Sequence, residues 1–223
     1  MIEALIFDFD GLLVDTEIIS LKVYQKLLMP YGYDFTREEY ANHYSGKTEI
    51  ENVRRFIKTY QLPLSQEECF KRVIAIEKEL IKKGVDLKRG AKKLLGYLKA
   101  NGYKTALATS STKERALAIL KDHEIIDYFD EFVFSEDVVS GKPDPEVFLK
   151  ALEKLGVEAS RALVLEDSEN GILAANNAKI DVLCIPDMKR PSKAFLDNTQ
   201  AVFETLDNVI SYLEDLSQER ACI

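Results

Sequence analysis

The most constraining feature of this sequence is a short apolar segment near its start that ends in two carboxylates. Residues 2–9 are almost continuously apolar, and Asp8 and Asp10 stand at the end of this segment, just before Gly11. Apolar side chains at successive positions indicate a strand buried on both faces, as in a parallel sheet covered by helices. After Gly84, segments with helical and strand patterns alternate. This alternation favours an α/β fold whose core is a Rossmann-like parallel sheet.

Residues 16–83 have a different pattern, because apolar residues recur there at helical spacing and no convincing strand interrupts them. Two segments, beginning at Thr36 and at Ser65, have the capping-box pattern that starts a helix. We therefore expect a helical cap domain of residues 16–83. It would be inserted after the first strand of an α/β core that comprises residues 1–15 and 84–223.

Polar side chains lie at the ends of the predicted strands or in the loops that follow them. Because the carboxyl ends of parallel strands meet at one edge of a sheet, where open α/β folds bind their ligands, we expect these side chains to converge. The four polar segments are Asp8-Phe9-Asp10-Gly11, Thr109-Ser110-Ser111, Gly141-Lys142-Pro143-Asp144-Pro145 and Glu166-Asp167-Ser168-Glu169-Asn170-Gly171.

The residue types in these segments indicate a phosphate and a divalent cation. Converging carboxylates repel one another unless a cation lies among them, and a set of oxygen ligands suits Mg²⁺. A lysine and hydroxyl donors beside that cation would neutralise a phosphate. Asp8 could then attack phosphorus as a carboxylate nucleophile.

Several of these residues also have a purely structural interpretation. Asp8 and Asp10 could be solvated turn residues, but Asp8 ends an apolar strand. Lys142 could be a surface lysine, although its place in a rigid Gly-Lys-Pro segment favours an aimed side chain. Thr109 could cap the helix that follows it. We predict Ser111 as that cap, since its spacing is better, which leaves Thr109 for a ligand.

The four segments, in this order and with a helical insert after the first, resemble the haloacid dehalogenase superfamily over essentially the whole chain. Asp8-Phe9-Asp10-Gly11 is similar to its DxDG motif, Thr109 to its strand-end hydroxyl, Lys142 to its phosphate-binding lysine, and Glu166-Asp167 to its acidic motif. The stretch Asp-Gly-Leu-Leu-Val-Asp-Thr-Glu resembles the branch of β-phosphoglucomutase and sugar-phosphate phosphatases.

The resemblance implies a role for each matching residue of the core. Asp8 would be the nucleophile and a metal ligand. Asp10 would act as general acid on the leaving oxygen and then as general base for water, and its backbone carbonyl would bind the metal. Thr109, Ser110 and Lys142 would hold the transferring phosphoryl group.

Further residues are candidates for the metal site and for substrate binding. The resemblance implies that Asp167 completes the Mg²⁺ site, with Glu166 bound either directly or indirectly. In the insert, Gly46 and Lys47 could reach the substrate from a lid loop or could simply precede a helix. The resemblance also implies that the insert is a lid that closes over the substrate.

Phosphatases and sugar phosphomutases share these core motifs, so only residues of the insert can distinguish the two activities. The mutase pattern has a His a few residues after the Asp15-Thr16 pair and an Arg soon after the glycine that matches Gly46. Neither residue is present here, since Glu17-Ile18-Ile19-Ser20 and Lys47-Thr48-Glu49 occupy those places. We therefore predict a phosphatase acting on a small phosphorylated metabolite such as a sugar phosphate, with a sugar phosphomutase as the alternative. A binding protein without activity is disfavoured, because every catalytic position is filled.

Composition limits the partners and the compartment. The formal net charge of -8 disfavours nucleic-acid binding. Cys69, Cys184 and Cys222 form no CxxC pair, which indicates a reducing cytoplasm rather than a disulfide or zinc framework. No apolar run approaches the roughly 18 residues of a membrane span, and the start lacks a signal-peptide pattern. We expect a cytoplasmic monomer that binds a small metabolite and neither nucleic acid nor membrane.

Overall fold

The computed structural model describes residues 1–45 and 47–221, with residues 219–221 described by their backbone alone. Gly46 and Cys222, which the sequence analysis singled out, lie outside the described residues. The chain divides into two compact units. One unit consists of Met1–Val14 with Leu87–Ile223, and the other of Asp15–Asp86.

The first unit is built on a sheet in which the described residues form six strands, all paired in parallel, in the order β3-β2-β1-β4-β5-β6. The predicted α/β fold with a parallel sheet is therefore confirmed. The strands are β1 (Ala4–Phe7), β2 (Lys104–Ala108), β3 (Glu131–Val133), β4 (Ala162–Glu166), β5 (Asp181–Cys184) and β6 (Ala201–Val202).

The register of the two central pairs places the polar strand ends side by side. Phe7 at the end of β1 pairs with Leu107 of β2 and with Leu165 of β4. The residues that follow these three strands therefore lie at the same edge of the sheet. Every residue of β1 and of β4 is buried, as their continuous apolar sequence predicts.

The second unit is helical, and its helices surround a cluster of aromatic rings. The centre of the cluster is Tyr24, whose ring lies 4.5 Å from that of Phe56 and 6.0 Å from that of Phe35. The helices are α1 (Thr16–Leu28), α2 (Arg37–His43), α3 (Glu49–Tyr60) and α4 (Gln66–Ile81), with a short 3₁₀ helix at Met29–Tyr31.

The starts of these helices partly match the capping patterns in the sequence. Ser65 forms the predicted capping box with Glu68 at the start of α4. Thr36 forms only half of its predicted box, since its side chain accepts from the Glu39 N–H. Thr48 forms a complete box at the start of α3, which the sequence analysis did not predict. Lys47 therefore immediately precedes the N-cap residue of α3.

The remaining helices flank the sheet. None of the helices among the described residues is long and apolar enough to cross a membrane. They are α5 (Ala91–Ala100), α6 (Lys113–Asp122), α7 (Glu146–Leu155), α8 (Glu169–Asn177), α9 (Lys193–Leu196) and α10 (Asp207–Ala221), with 3₁₀ helices at Ile126–Tyr128, Ser135–Asp137 and Ala159–Arg161.

The prediction of Ser111 as the cap of α6 was wrong. The helix begins one residue later than that assignment requires, with Thr112 at the N-cap position and no side-chain bond from it. The carboxylate of Glu136 instead accepts from the Lys113 N–H at 3.1 Å. A distant carboxylate can replace a local cap because it satisfies the same exposed N–H group at the positive end of the helix.

Candidate active site

A buried lysine joins two carboxylates at the carboxyl edge of the central strands. Lys142 Nζ lies 2.5 Å from Asp8 Oδ1 and 2.6 Å from Glu166 Oε1, and only 7% of the lysine side chain is exposed. The ammonium group also lies 4.8 Å from the centre of the Phe148 ring. The Gly-Lys-Pro segment thus aims its lysine into the unit, as its sequence favoured.

The charges of this trio shift the pKa values of its members. Burial raises the pKa of the Asp8 carboxyl to about 7, against the opposing attraction of Lys142. The two neighbouring carboxylates raise the pKa of Lys142, although burial alone would lower it. The lysine therefore stays charged at every physiological pH and compensates the buried negative charge.

Glu166 is the most enclosed member of the trio, with almost no exposed surface. Its Oε2 accepts from the Asp167 N–H at 3.0 Å, from the Ser168 N–H at 3.0 Å and from the Ser168 hydroxyl at 2.9 Å. Its Oε1 accepts from Lys142. The glutamate fits only because residue 171 is glycine, since a Cβ there would lie 1.8 Å from the Glu166 carboxyl group.

The carboxylates of Asp8, Glu166 and Asp167 form a group that could hold a metal ion. One oxygen from each lies within 4.8 Å of the others. The set contains only oxygen donors, which is what a hard divalent cation such as Mg²⁺ requires. The residues therefore fit the metal that the resemblance implies. Glu166 contributes to this group although both of its oxygens already accept hydrogen bonds from the chain.

The side chain of Asp10, the other predicted catalytic carboxylate, makes a separate set of contacts. Its Oδ1 accepts from Arg115 Nη1 at 2.7 Å and its Oδ2 from the Ser111 hydroxyl at 2.5 Å. Arg115 Nη1 also contacts the Ser111 hydroxyl. The sequence analysis did not single out Arg115. The only signal was its position four residues after Ser111, at the start of the helix that follows β2.

Thr109 and Ser110 line a pocket together with the buried Lys142. Thr109 is fully buried at the end of β2, and its hydroxyl accepts from the Ser111 N–H at 2.9 Å. The pocket has a volume of about 200 Å³. It is lined by Thr109, Ser110, Ser135, Val138, Val139, Gly141, Lys142 and Val147. Three of the residues predicted to hold a phosphoryl group thus share one cavity within the α/β unit.

A second ion pair lies close to the acidic group and was missed by the sequence analysis. Lys88 Nζ lies 2.5 Å from Asp187 Oδ1. The nearby Gly11 has a positive φ of 82°, and a Cβ there would lie 2.5 Å from Asp167 Oδ2 and 3.3 Å from Asp187 Oδ2. Only glycine suits this position, because both the backbone conformation and the carboxylates exclude a side chain. No local pattern marks Lys88 or Asp187.

The helical unit contains a polar network of its own. The Tyr24 hydroxyl donates to the two oxygens of Glu49 at 3.1 and 3.0 Å, and the Asn52 amide donates to the same hydroxyl at 3.2 Å. Burial raises the pKa of Glu49 to about 7. Lys47, two residues earlier, is exposed. This unit therefore presents a partly buried carboxylate where the mutase pattern has an arginine.

Comparison with known proteins gives matches over nearly the whole chain. A model of the haloacid dehalogenase-like hydrolase family matches residues 5–185. The chain is 31% identical over 215 residues to the phosphorylated carbohydrates phosphatase of Thermotoga maritima, covering 96% of this chain and 99% of that protein. It is 35% identical over 211 residues to the "Probable pseudouridine-5′-phosphatase" of Drosophila melanogaster, covering 91% of this chain and 89% of that protein.

A solved structure extends the comparison to three dimensions. The crystal structure of CbbY from Rhodobacter sphaeroides in complex with phosphate matches with a TM-score of 0.75 and 26% identity. The match covers 93% of this chain and 96% of that chain. The similarity therefore includes the whole arrangement of strands that positions the polar residues.

Proposed function

The chain belongs to the haloacid dehalogenase-like hydrolases, and on that premise we propose that it is a Mg²⁺-dependent phosphatase of a small phosphorylated metabolite, in particular a sugar phosphate. Its family and its phosphatase relatives indicate that it is a phosphoric monoester hydrolase. The observation that carries the proposal is the contact of Asp8 with Lys142, which itself lines a pocket together with Thr109 and Ser110.

The residues present account for a two-step transfer. In the first step an Asp8 oxygen forms a bond to phosphorus, the bond from phosphorus to the leaving oxygen breaks, and Asp10 gives that oxygen a proton. In the second step Asp10 takes a proton from water, the water oxygen bonds to phosphorus, and Asp8 is released with inorganic phosphate. Lys142 and Thr109 hold the phosphoryl oxygens throughout.

A divalent cation belongs to this chemistry. Asp8, Asp167 and the backbone carbonyl of Asp10 would hold Mg²⁺, which when bound supplies positive charge against the phosphoryl oxygens. We propose that Glu166 acts mainly through Lys142, because all of its oxygens already accept hydrogen bonds from this chain. The glutamate keeps the ammonium group charged and directed toward Asp8.

Hydrolysis is favoured over phosphomutase activity by the helical unit. The mutase pattern places an arginine soon after the glycine that matches Gly46. Here Glu49 follows Lys47 and Thr48, and its carboxyl group accepts from Tyr24. Lys47, the basic residue of this segment, could contact a second phosphate only as a point charge and not with the paired donors of a guanidinium. The similarity to the phosphorylated carbohydrates phosphatase of Thermotoga maritima supports hydrolysis of a sugar phosphate.

We further propose that the enzyme acts in the cytoplasm as a monomer on a free metabolite. The thiols of Cys69 and Cys184 are both buried and are not joined in a disulfide, which supports a reducing compartment. The net charge of -8 supports the absence of a nucleic-acid partner.

A panel of sugar phosphates incubated with Mg²⁺ tests the proposed activity. Both inorganic phosphate and isomerised sugar phosphate are measured, with the Asp8→Asn variant as the inactive control. We expect release of phosphate without isomerisation, abolished by excess EDTA. Isomerisation faster than phosphate release would establish the mutase instead. Full turnover in EDTA would contradict the metal assignment.

A further inference from the structure

Arg115 has no role in the activity proposed above, yet it contacts the residue assigned to proton transfer. Its Nη1 donates to Asp10 Oδ1 at 2.7 Å and contacts the Ser111 hydroxyl, which in turn donates to Asp10 Oδ2 at 2.5 Å. The three side chains therefore form a closed ring, which we call the Asp10 clamp. Both carboxylate oxygens of Asp10 take part in it.

The clamp differs from an ordinary surface ion pair. Only 23% of the Arg115 side chain and 33% of the Asp10 side chain are exposed. The partners come from different parts of the chain, since Asp10 follows β1 while Ser111 and Arg115 flank the start of α6. Parallel pairing of β1 with β2 brings these two segments together at the same edge of the sheet. The clamp thus joins the segments that follow two paired strands.

A general acid and base needs such a restraint. An aspartate side chain can rotate about two bonds, and an error of about 1 Å in the position of a reacting group can lower a rate by roughly 10²-fold. Asp10 has to reach the leaving oxygen in one step and water in the next. The guanidinium takes part in neither proton transfer, because it stays charged at all relevant pH values. Arg115 contacts Asp10 Oδ1, whereas Asp10 Oδ2 accepts from the rotatable Ser111 hydroxyl. We therefore expect Oδ2 to be the oxygen that exchanges the proton.

We propose that Arg115 is a positioning residue that, together with Ser111, orients the Asp10 carboxylate for proton transfer. The proposal rests on the proposed function, in which Asp10 is the acid and base. The alternative role for Arg115 is to bind an anionic group of the substrate. The contacts favour positioning, since Nη1 is already engaged by a carboxylate and a hydroxyl within hydrogen-bond distance.

A double-mutant cycle separates these roles. Arg115→Met, Asp10→Asn and the double variant are compared in a pre-steady-state burst with a sugar phosphate and with p-nitrophenyl phosphate. We expect Arg115→Met to slow the sugar phosphate burst by about 10- to 100-fold with KM within about twofold of wild type. The aryl phosphate should lose less, because its leaving group needs no protonation. In the Asp10→Asn background, Arg115→Met should change the rate less than about twofold.

Matched variants control for charge and for folding. Lys121→Met removes one positive charge from the other end of the same helix and should leave the burst unchanged. Arg115→Lys keeps the charge but places it on a flexible stem without the planar guanidinium, so its rate should lie between those of wild type and Arg115→Met. Equal losses from Arg115→Met in the two Asp10 backgrounds would overturn the proposal. A rise in KM that persists with Asp10→Asn would show that Arg115 binds the substrate.

A crystal structure of Arg115→Met keeps this inference separate from the proposed function. We expect the Asp10 carboxylate to leave its place beside Ser111 or to occupy more than one conformation. An Asp10 side chain that stays in place without Arg115 would overturn the inference whatever the enzyme hydrolyses. If wild type hydrolyses no phosphate ester, the proposed function fails, and this structural comparison still decides what Arg115 does.

Discussion

Replacing Lys142 by methionine should destabilise the protein strongly, because it leaves two buried carboxylates without their cation. Lys142 lies 2.5 Å from Asp8 and 2.6 Å from Glu166, and the exposed fractions of those side chains are 10% and 1%. Methionine keeps most of the volume and the contact with Phe148, so the variant tests the loss of charge and little else.

The size of the effect follows from these contacts. Removing one partner of a buried ion pair costs about 3–5 kcal/mol. For a chain of this size that loss lowers Tm by roughly 6–20 °C. Burial already raises the pKa of Asp8, and removal of the lysine should raise it further. The folded variant then holds a proton that the unfolded chain releases near pH 4, so its stability should fall as pH rises from about 5 to 8.

Thermal unfolding in metal-free buffer at pH 6 and pH 8 measures this effect. Lys193→Met serves as the control, since Lys193 and its partner Asp197 are 85% and 59% exposed and such pairs contribute less than about 1 kcal/mol. The double variant Asp8→Asn with Lys142→Met should regain part of the lost stability. A Tm for Lys142→Met within 3 °C of wild type at both pH values would refute the assignment of Lys142 as the compensating charge.

Three further predictions concern other parts of the chain. Asp8→Asn should lower phosphate release to below a few per cent of wild type with the fold intact by circular dichroism; greater activity would exclude Asp8 as the nucleophile. Burial raises the pKa of Glu49 from 4.5 in the unfolded chain to about 7 in the folded protein, so the free energy of unfolding should fall as pH rises from about 4.5 to 7. Glu49→Gln should remove that fall, up to about 3 kcal/mol, in urea unfolding at pH 5 and pH 8; an unchanged pH profile would contradict the burial of Glu49. Gly171→Ala should destabilise by about 1–3 kcal/mol through collision with Glu166, whereas Gly96→Ala, which meets nothing within 4 Å, should stabilise by up to about 1 kcal/mol; equal Tm values for the two variants would refute the collision.

Local sequence patterns were enough to predict the α/β fold and the chemical groups at the strand ends. The continuous apolar run before Asp8 predicted a buried central strand, and β1 is fully buried between two parallel neighbours. The capping box at Ser65 likewise predicted the start of α4. These features depend on residues close together in the chain, so periodicity and spacing are enough to predict them.

Which polar side chains meet depends on how the distant segments of the chain pack together. Ser111 was predicted as a helix cap, but it donates to Asp10, and Arg115 joins the same carboxylate from 105 residues away. The pair of Lys88 and Asp187 also joins distant segments. No local pattern encodes such contacts, because they depend on the pairing of strands and on the direction that each side chain takes in the folded chain. The sequence therefore supplied the chemistry of the site, and the parallel pairing of the strands decided its geometry.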